Sequence, residues 1–196
     1  MECSLAGTAL LSVHRSAPLV LSILSEAPQT PMPFVLFLAA CREAVLADIV
    51  FLVDSSASLG PQNFQKVKNF LHSVVLGLGI SSDQVRVGLA QYNDNIYPAF
   101  RLNQYPLKSV VLEQIQNLPY CTGANTGSAL EFIRIDYFTE AAGSRAKDRV
   151  PQIVIPVTDG ESNDEVQEAA DKLKEYGVLV YVVGVNVQDV QELQKK

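Results

Sequence analysis

The chain has 196 residues, of which 48% are hydrophobic and 18% charged, and its formal net charge is −6. This length fits one domain with additional segments, and the apolar fraction is sufficient for a sizeable core. The acidic balance and the lack of a basic cluster argue against a nucleic-acid-binding protein.

The first 46 residues differ from the rest of the chain in being rich in Ala, Leu, Ser and Pro and poor in charge. Residues 1–46 are predicted to be a leader or signal-like segment, disordered or cleaved. The apolar run Phe34–Ala40 is too short to span a bilayer and resembles the core of a secretory signal. About thirty residues precede it, so a start at Met32 is one hypothesis. Secretion is therefore predicted, with a cytoplasmic location as the alternative.

Residues 47–196 are predicted to form one domain, which opens with a buried strand and a helix. The run Ile49–Val53 is continuously apolar and β-branched, as expected for a strand covered on both faces. Gly60-Pro61 then begins a helix. The apolar residues of this helix recur every three or four positions, and Gly77 and Gly79 mark its end.

The middle of the domain alternates between strands and helices. Val85–Tyr92 is predicted as a strand, and after a turn at 93–95 the segment Ile96–Leu102 is predicted as its antiparallel partner. Apolar spacing indicates two further helices, around Val110–Leu118 and Leu130–Phe138.

The last part of the chain completes the pattern. Ile153–Val157 and Val178–Val185 are predicted as buried strands, with a helix over Val166–Tyr176 that Gly177 closes. This order predicts an α/β fold: a doubly wound, mainly parallel sheet with one antiparallel edge strand and helices on both faces.

Acidic residues follow two of the predicted parallel strands. Asp54 and Asp159 each stand at a strand's carboxyl end, where open α/β sheets bind ligands, and Ser56 and Ser58 lie in the loop after Asp54. Two carboxylates and two hydroxyls form the all-oxygen set that Mg²⁺ prefers. The alternative is structural, because Asp residues form turns and Ser residues cap helices. The second acidic strand end favours the metal site.

Three segments resemble von Willebrand factor A domains in order and spacing: Asp48–Ser58, Asn125–Leu130 and Val157–Ser162. The details are most similar to the amino-terminal A domains of type VI collagen α chains, in shortened form. The resemblance implies a non-enzymatic adhesion module of the extracellular matrix. It also implies a Mg²⁺-dependent adhesion site that contacts an acidic residue of a partner protein, with Asp54, Ser56, Ser58 and Asp159 as ligands.

The chain departs from the family pattern in three places. The family's middle ligand is a Thr, but the aligned residue here is Ala124; Thr126 lies nearby and is predicted to replace it, with low metal affinity expected. Pro156 stands inside a strand predicted to be central, where it removes a hydrogen-bond donor. A-type domains normally continue with one more strand and a final helix, so the domain is predicted to be truncated at its carboxyl end and to expose apolar sheet surface.

Enzymatic alternatives lack their motifs. No Gly-rich turn follows the first strand, no Gly-x-Ser-x-Gly elbow is present, and Ser56 occupies the place where an aspartyl-nucleophile phosphatase has a second Asp. Because no nucleophile–base pair is evident, the chain is predicted not to be an enzyme. Two binding functions stay open: metal-dependent adhesion, and a degenerate domain that binds partners without metal. No transmembrane span is predicted.

Overall fold

The computed structural model describes residues 19–23, 46–93, 95–120, 126–159 and 166–185. The strands are β1 (Leu19–Ile23), β2 (Ala47–Asp54), β3 (Val85–Tyr92), β4 (Ile96–Phe100), β5 (Gln152–Thr158) and β6 (Val178–Val185). The helices are α1 (Gly60–Gly77), α2 (Lys108–Gln116), α3 (Thr126–Asp136) and α4 (Val166–Glu175), with a 3₁₀ turn at Ala146–Asp148. None of these helices is long and apolar enough to cross a membrane.

The six described strands form one sheet in the order β1-β6-β5-β2-β3-β4. Every neighbouring pair is parallel except β3 and β4, which are antiparallel. The predicted fold class, a mainly parallel sheet with one antiparallel edge strand, is therefore confirmed. The predicted truncation after β6 concerns residues beyond the described part of the chain.

Strand β2 lies at the centre of the sheet and divides its side chains between two cores. All eight of its residues are buried. Phe51 packs in the core that α1 and α2 cover, whereas Leu52 packs in the core that α3 and α4 cover. Successive side chains of a strand point to opposite faces, so a continuous apolar run produces this two-sided burial. The same geometry places Asp54 at the carboxyl edge, next to the ends of β3 and β5.

Two glycines set helix ends. Gly60, at the start of α1, has φ of 72°, and Gly177, just after α4, has φ of 87°. A positive φ is costly for residues with a Cβ atom, so glycine suits both points. Gly60 lets the chain turn from the Asp54–Leu59 loop into α1, which confirms the predicted Gly60-Pro61 start.

Pro156 lies within β5, between β2 and β6. It interrupts the pairing of β5 with only one of these two neighbours. The pairing of β5 with β2 is continuous through Pro156, which is opposite Leu52. The pairing with β6 stops at Val154 and resumes at Val157. A proline has no N–H to donate, so the interruption toward β6 is the physical consequence of placing it in a central strand.

Strand β1 was not predicted. Residues 1–46 were assigned to a leader outside the domain, yet Leu19–Ile23 pairs with β6 in parallel and forms the edge of the sheet. The strand is one of several apolar runs between prolines in residues 1–46, with Pro18 directly before it, so its sequence alone does not distinguish it from the others. That residues 1–46 are removed as a leader stays a prediction. Two smaller differences are that α3 begins at Thr126, earlier than expected, and that β4 ends at Phe100 rather than Leu102.

Candidate metal site

Asp54 is the centre of the candidate site. It is the last residue of β2 and is fully buried. Its Oδ1 accepts a hydrogen bond from the Ser56 backbone N–H at 2.7 Å, and its Oδ2 accepts one from the Thr158 hydroxyl at 3.0 Å. Thr158 ends β5, the parallel neighbour of β2. Both carboxylate oxygens are therefore held in place by the ends of two adjacent elements.

The environment of Asp54 disfavours its negative charge. Burial raises the pKa of this carboxyl above its ordinary 3.8, and the nearby charge of Asp159 raises it further. The hydrogen bonds from Ser56 and Thr158 lower the pKa but do not offset the burial. Among the described residues, no Lys, Arg or His forms an ion pair with Asp54. Neutral donors alone stabilise the carboxylate, so a cation at this point would relieve its unfavourable charge.

The loop after β2 brings two hydroxyls together beside the carboxylate. Ser56 Oγ and Ser58 Oγ are 2.9 Å apart. Ser56 is buried, whereas Ser58 is exposed to solvent. The pair thus runs from the buried floor of the loop to its surface, and a ligand approaching from outside meets Ser58 first.

Contacts from other parts of the chain fix this loop. The Ser55 backbone N–H and hydroxyl both donate to the carbonyl of Tyr92, at the end of β3, each at 3.0 Å. The Tyr120 hydroxyl donates to the carbonyl of Ser56 at 2.9 Å. The Tyr120 ring also packs against Phe64 of α1, with ring centroids 5.3 Å apart. The loop is therefore anchored on both sides by contacts within the chain.

The structure brings four of the five predicted ligands to one edge of the sheet. Asp54, Ser56 and Ser58 lie on the loop after β2, and Asp159 directly follows β5, with its charge acting on Asp54. Thr126 is the first residue of α3, but its side chain and the whole of Ala124 lie outside the described residues. The replacement of Ala124 by Thr126 as a ligand stays a prediction.

The donors fit a hard cation. They are carboxylate and hydroxyl oxygens, which Mg²⁺ and similar ions prefer. Within the described part of the chain, no three His, Cys, Asp or Glu residues cluster as a metal-binding group. A site at this edge would therefore depend on its serine and threonine hydroxyls as well as its two carboxylates.

Sequence reasoning missed two residues that shape this site. Thr158 was treated only as the end of a strand, although the pairing of β5 with β2 places its hydroxyl on Asp54. An oxygen-bearing residue at the end of the neighbouring parallel strand was the available signal. Tyr120 lies 64 residues from Ser56. No local spacing indicates that contact, because the intervening elements bring the two residues together.

The sequence profile of the von Willebrand factor type A domain matches residues 48–196. This match covers most of the chain, and the loop and strand ends described above lie within it. The chain therefore belongs to the von Willebrand factor type A domain family.

Among its relatives are matrix proteins. The chain is 71% identical over 157 residues to the mouse collagen alpha-4(VI) chain, covering 80% of this chain and 7% of that protein. It is 35% identical over 169 residues to mouse matrilin-2, covering 85% of this chain and 17% of that protein. The chain thus spans only a small part of the length of these relatives.

Two solved structures with the same fold contain a metal ion, and in one of them the ion occupies a motif named MIDAS, the metal-ion-dependent adhesion site. Proximal thread matrix protein 1 from the mussel byssus, whose MIDAS motif is occupied by zinc, matches with a TM-score of 0.67 and 31% identity over 71% of this chain and 38% of that one. The manganese-loaded TRAP protein of Plasmodium vivax matches with a TM-score of 0.62 and 25% identity over 72% of this chain and 59% of that one. These ions belong to the neighbours.

Proposed function

We propose that this chain is a non-enzymatic, protein-binding adhesion module of the extracellular-matrix type, whose binding depends on a Mg²⁺ ion at the carboxyl edge of the sheet. The observation that carries the proposal is Asp54: a fully buried carboxylate, raised in pKa by burial, with no cationic partner among the described residues. A charge that is buried without a counter-charge is costly. Residues whose pKa is shifted by such burial are concentrated at functional sites. A bound cation supplies the missing charge.

Five residues would hold the ion. Asp54, Ser56, Ser58 and Asp159 would provide oxygens from the two strand ends, and Thr126 would provide the fifth in place of the Thr missing at position 124. When bound, Mg²⁺ supplies an open coordination position for a carboxylate oxygen of the partner protein. Ser58 is exposed, which suits contact with a partner at the surface. Because position 124 is Ala, we expect weak metal affinity.

The relatives support a matrix partner and location. Collagen and matrilin chains are extracellular-matrix proteins, and none of the relatives described above is an enzyme by name. We therefore propose a secreted protein that binds other matrix proteins, rather than nucleic acid. The alternative is a degenerate domain that binds partners without metal, which the absence of a Thr at position 124 favours. A cytoplasmic location finds no support among these relatives.

Thermal unfolding in the presence of Mg²⁺ distinguishes metal-dependent adhesion from binding without metal. An ion that binds only the folded state stabilises it by about 1.4 kcal/mol at ten times its dissociation constant. We expect millimolar Mg²⁺ to raise the Tm of the wild-type chain, measured by calorimetry after removal of metal with EDTA. Asp54→Asn should abolish this shift, and Ala124→Thr should produce the same shift at lower Mg²⁺ concentration.

Two outcomes decide against the metal-dependent function. If Mg²⁺ changes the Tm of wild type and of Asp54→Asn by the same amount at every concentration, the metal-independent alternative is favoured. If Ala124→Thr then acquires a shift that wild type lacks, the defect lies at that position. NaCl at matched ionic strength serves as the control for nonspecific effects of salt.

A further inference from the structure

The two edges of the sheet are built differently. The β4 edge contains Pro98, and its pairing with β3 is irregular between Leu89 and Ala90. Proline and bulges are the usual protections of an edge strand. Strand β6 has the sequence VLVYVVGV, without proline or charge. Left without a neighbour, such a strand would be an open template for pairing with another chain.

Strand β1 occupies this open edge. It runs parallel to β6 in unbroken register, from Leu19 opposite Tyr181 to Ile23 opposite Val185. Its sequence, LVLSI, is rich in the residues that favour strands.

Strand β1 joins the sheet from a distant point of the chain. More than twenty residues separate Ile23 from β2 in the sequence, and β2 lies three positions away in the sheet, beyond β6 and β5. The parallel register with β6 is therefore what places β1 in the sheet.

We propose that the side of β6 that faces away from β5 is an acceptor site for an apolar, parallel β-strand, and that residues Leu19–Ile23 are its occupant within the same chain. The recognition is β-augmentation, in which backbone hydrogen bonds provide the affinity. Loss of β1, including loss by cleavage of the leader, uncovers this edge and makes it an interaction surface. The metal site plays no part in this proposal, so the failure of either leaves the other intact.

Cysteine cross-linking in the full-length chain tests the pairing. The three native cysteines are first replaced by Ser, and Val20→Cys is combined with Val182→Cys, its register partner. Neighbouring strands lie about 4.8 Å apart, which is within the Cα separation that a disulfide requires. The control combines Val20→Cys with Tyr97→Cys, on β4 at the opposite edge. Mild oxidation should give an intramolecular disulfide in the first variant only.

The cross-linking outcomes are distinct. A monomeric cross-linked product for Val20–Val182, with none for the control pair, supports the proposal. Equal cross-linking of both pairs shows that the segment samples the whole surface and overturns it. A Val20–Val182 disulfide that forms only between chains overturns the intramolecular assignment, because the occupant is then a second copy.

A proline substitution tests whether the edge accepts a strand. Leu21→Pro in the full chain removes a ladder donor from β1, and Leu11→Pro, which lies before β1 in the sequence, is the matched control. Hydrogen exchange of the amides in residues 181–185, the part of β6 that pairs with β1, should be at least about tenfold faster in Leu21→Pro than in the control, because amides paired with β1 lose their protection. A labelled peptide with the sequence of residues 17–25 should bind the Leu21→Pro chain more tightly than wild type, measured by fluorescence anisotropy. Unchanged exchange, or equal peptide binding to both chains, overturns the proposal.

Discussion

The two ends of β2 carry the same residue in opposite circumstances. Asp48 and Asp54 are both fully buried. At the amino end, Arg145 donates to Asp48 Oδ1 through Nε at 2.9 Å and Nη2 at 2.7 Å, and its backbone N–H donates to Oδ2 at 2.7 Å. The side-chain amide of Gln152 donates a second hydrogen bond to Oδ2, at 2.8 Å, so the carboxylate accepts four in all. This carboxylate is neutralised and fully hydrogen-bonded by its own chain.

Among the described residues, the carboxyl end of β2 has no such partner. Within that part of the chain, Asp54 receives hydrogen bonds from Ser56 and Thr158, and the second carboxylate nearby, Asp159, repels it. A buried ion pair with complete hydrogen bonding closes a site, whereas a buried charge with neutral donors leaves it open to an external cation. The comparison shows how one strand supports the fold at one end and presents a binding site at the other.

We call the amino end of β2, at Asp48, the closed end and its carboxyl end, at Asp54, the open end. The largest effect is expected when the cation of the closed end, Arg145, is removed. Arg145→Met leaves Asp48 buried without a counter-charge and removes donors from the carbonyls of Ala47 and Gln84. We expect the free energy of unfolding to fall by about 3–5 kcal/mol, measured by urea denaturation. The matched control, Arg101→Met, breaks a half-exposed ion pair with Asp136, and we expect it to cost at most about 1 kcal/mol. Equal losses for both variants would contradict the distinction between the two ends.

The same substitution at both ends should have opposite effects. Asp48→Asn leaves Arg145 without its carboxylate, and we expect a loss of about 3 kcal/mol. Asp54→Asn keeps an acceptor for Ser56 and offers an amide to Thr158. In metal-free buffer at neutral pH, we therefore expect it to be as stable as wild type or more stable by up to about 1 kcal/mol. Calorimetry in EDTA measures both. A large loss for Asp54→Asn would mean that the open end is structural.

The dependence of the free energy of unfolding on pH shows whether the charged Asp54 stabilises or destabilises the folded chain. The pKa of Asp54 is higher in the folded chain than its ordinary 3.8. Between these two values the folded state binds more protons than the unfolded state, so stability falls as pH rises through that window. Relative to Asp54→Asn, metal-free wild type should lose stability as pH rises above 3.8, and Mg²⁺ should reverse the loss. A difference between the variants that does not change with pH would contradict the raised pKa.

Local sequence pattern predicted more of the open end of β2 than of the closed end. The apolar runs before Asp54 and Asp159 predicted two strand ends at one edge of the sheet, because parallel strands end at one edge, and the structure makes these two strands neighbours. Arg145 lies 97 residues from Asp48 in sequence. Nothing in the spacing of either residue indicates their contact, since it exists only after the sheet forms.

The edge strand β1 is a second feature that local sequence pattern could not predict. Its five residues are mostly apolar, but so is much of the segment around them, and prolines interrupt that segment repeatedly rather than only beside this strand. Pairing with β6 distinguishes them, and that pairing is a tertiary event. At the candidate site, likewise, the Asp and Ser residues were predicted from their order, whereas the Thr158 and Tyr120 contacts depend on neighbouring strands and helices.

The smallest expected effect concerns the anchoring of the open end. Tyr120→Phe removes the hydrogen bond to the Ser56 carbonyl but keeps the ring that packs against Phe64. We expect a loss of about 0.5–1.5 kcal/mol in the free energy of unfolding, as for a typical hydrogen bond. Because Ser56 is a proposed ligand, a looser loop should also reduce the Mg²⁺-induced rise in Tm.

The matched control for this effect is Tyr105→Phe, which removes a hydroxyl that accepts from Gln104 at 3.2 Å. That change should leave the Mg²⁺ response unaltered. If both variants reduce the response equally, the reduction reflects general stability rather than the position of Ser56. If Tyr120→Phe loses stability but keeps the full response, the ion itself orders the loop. The open end of β2 would then be formed on binding, whereas the closed end is complete without any ligand.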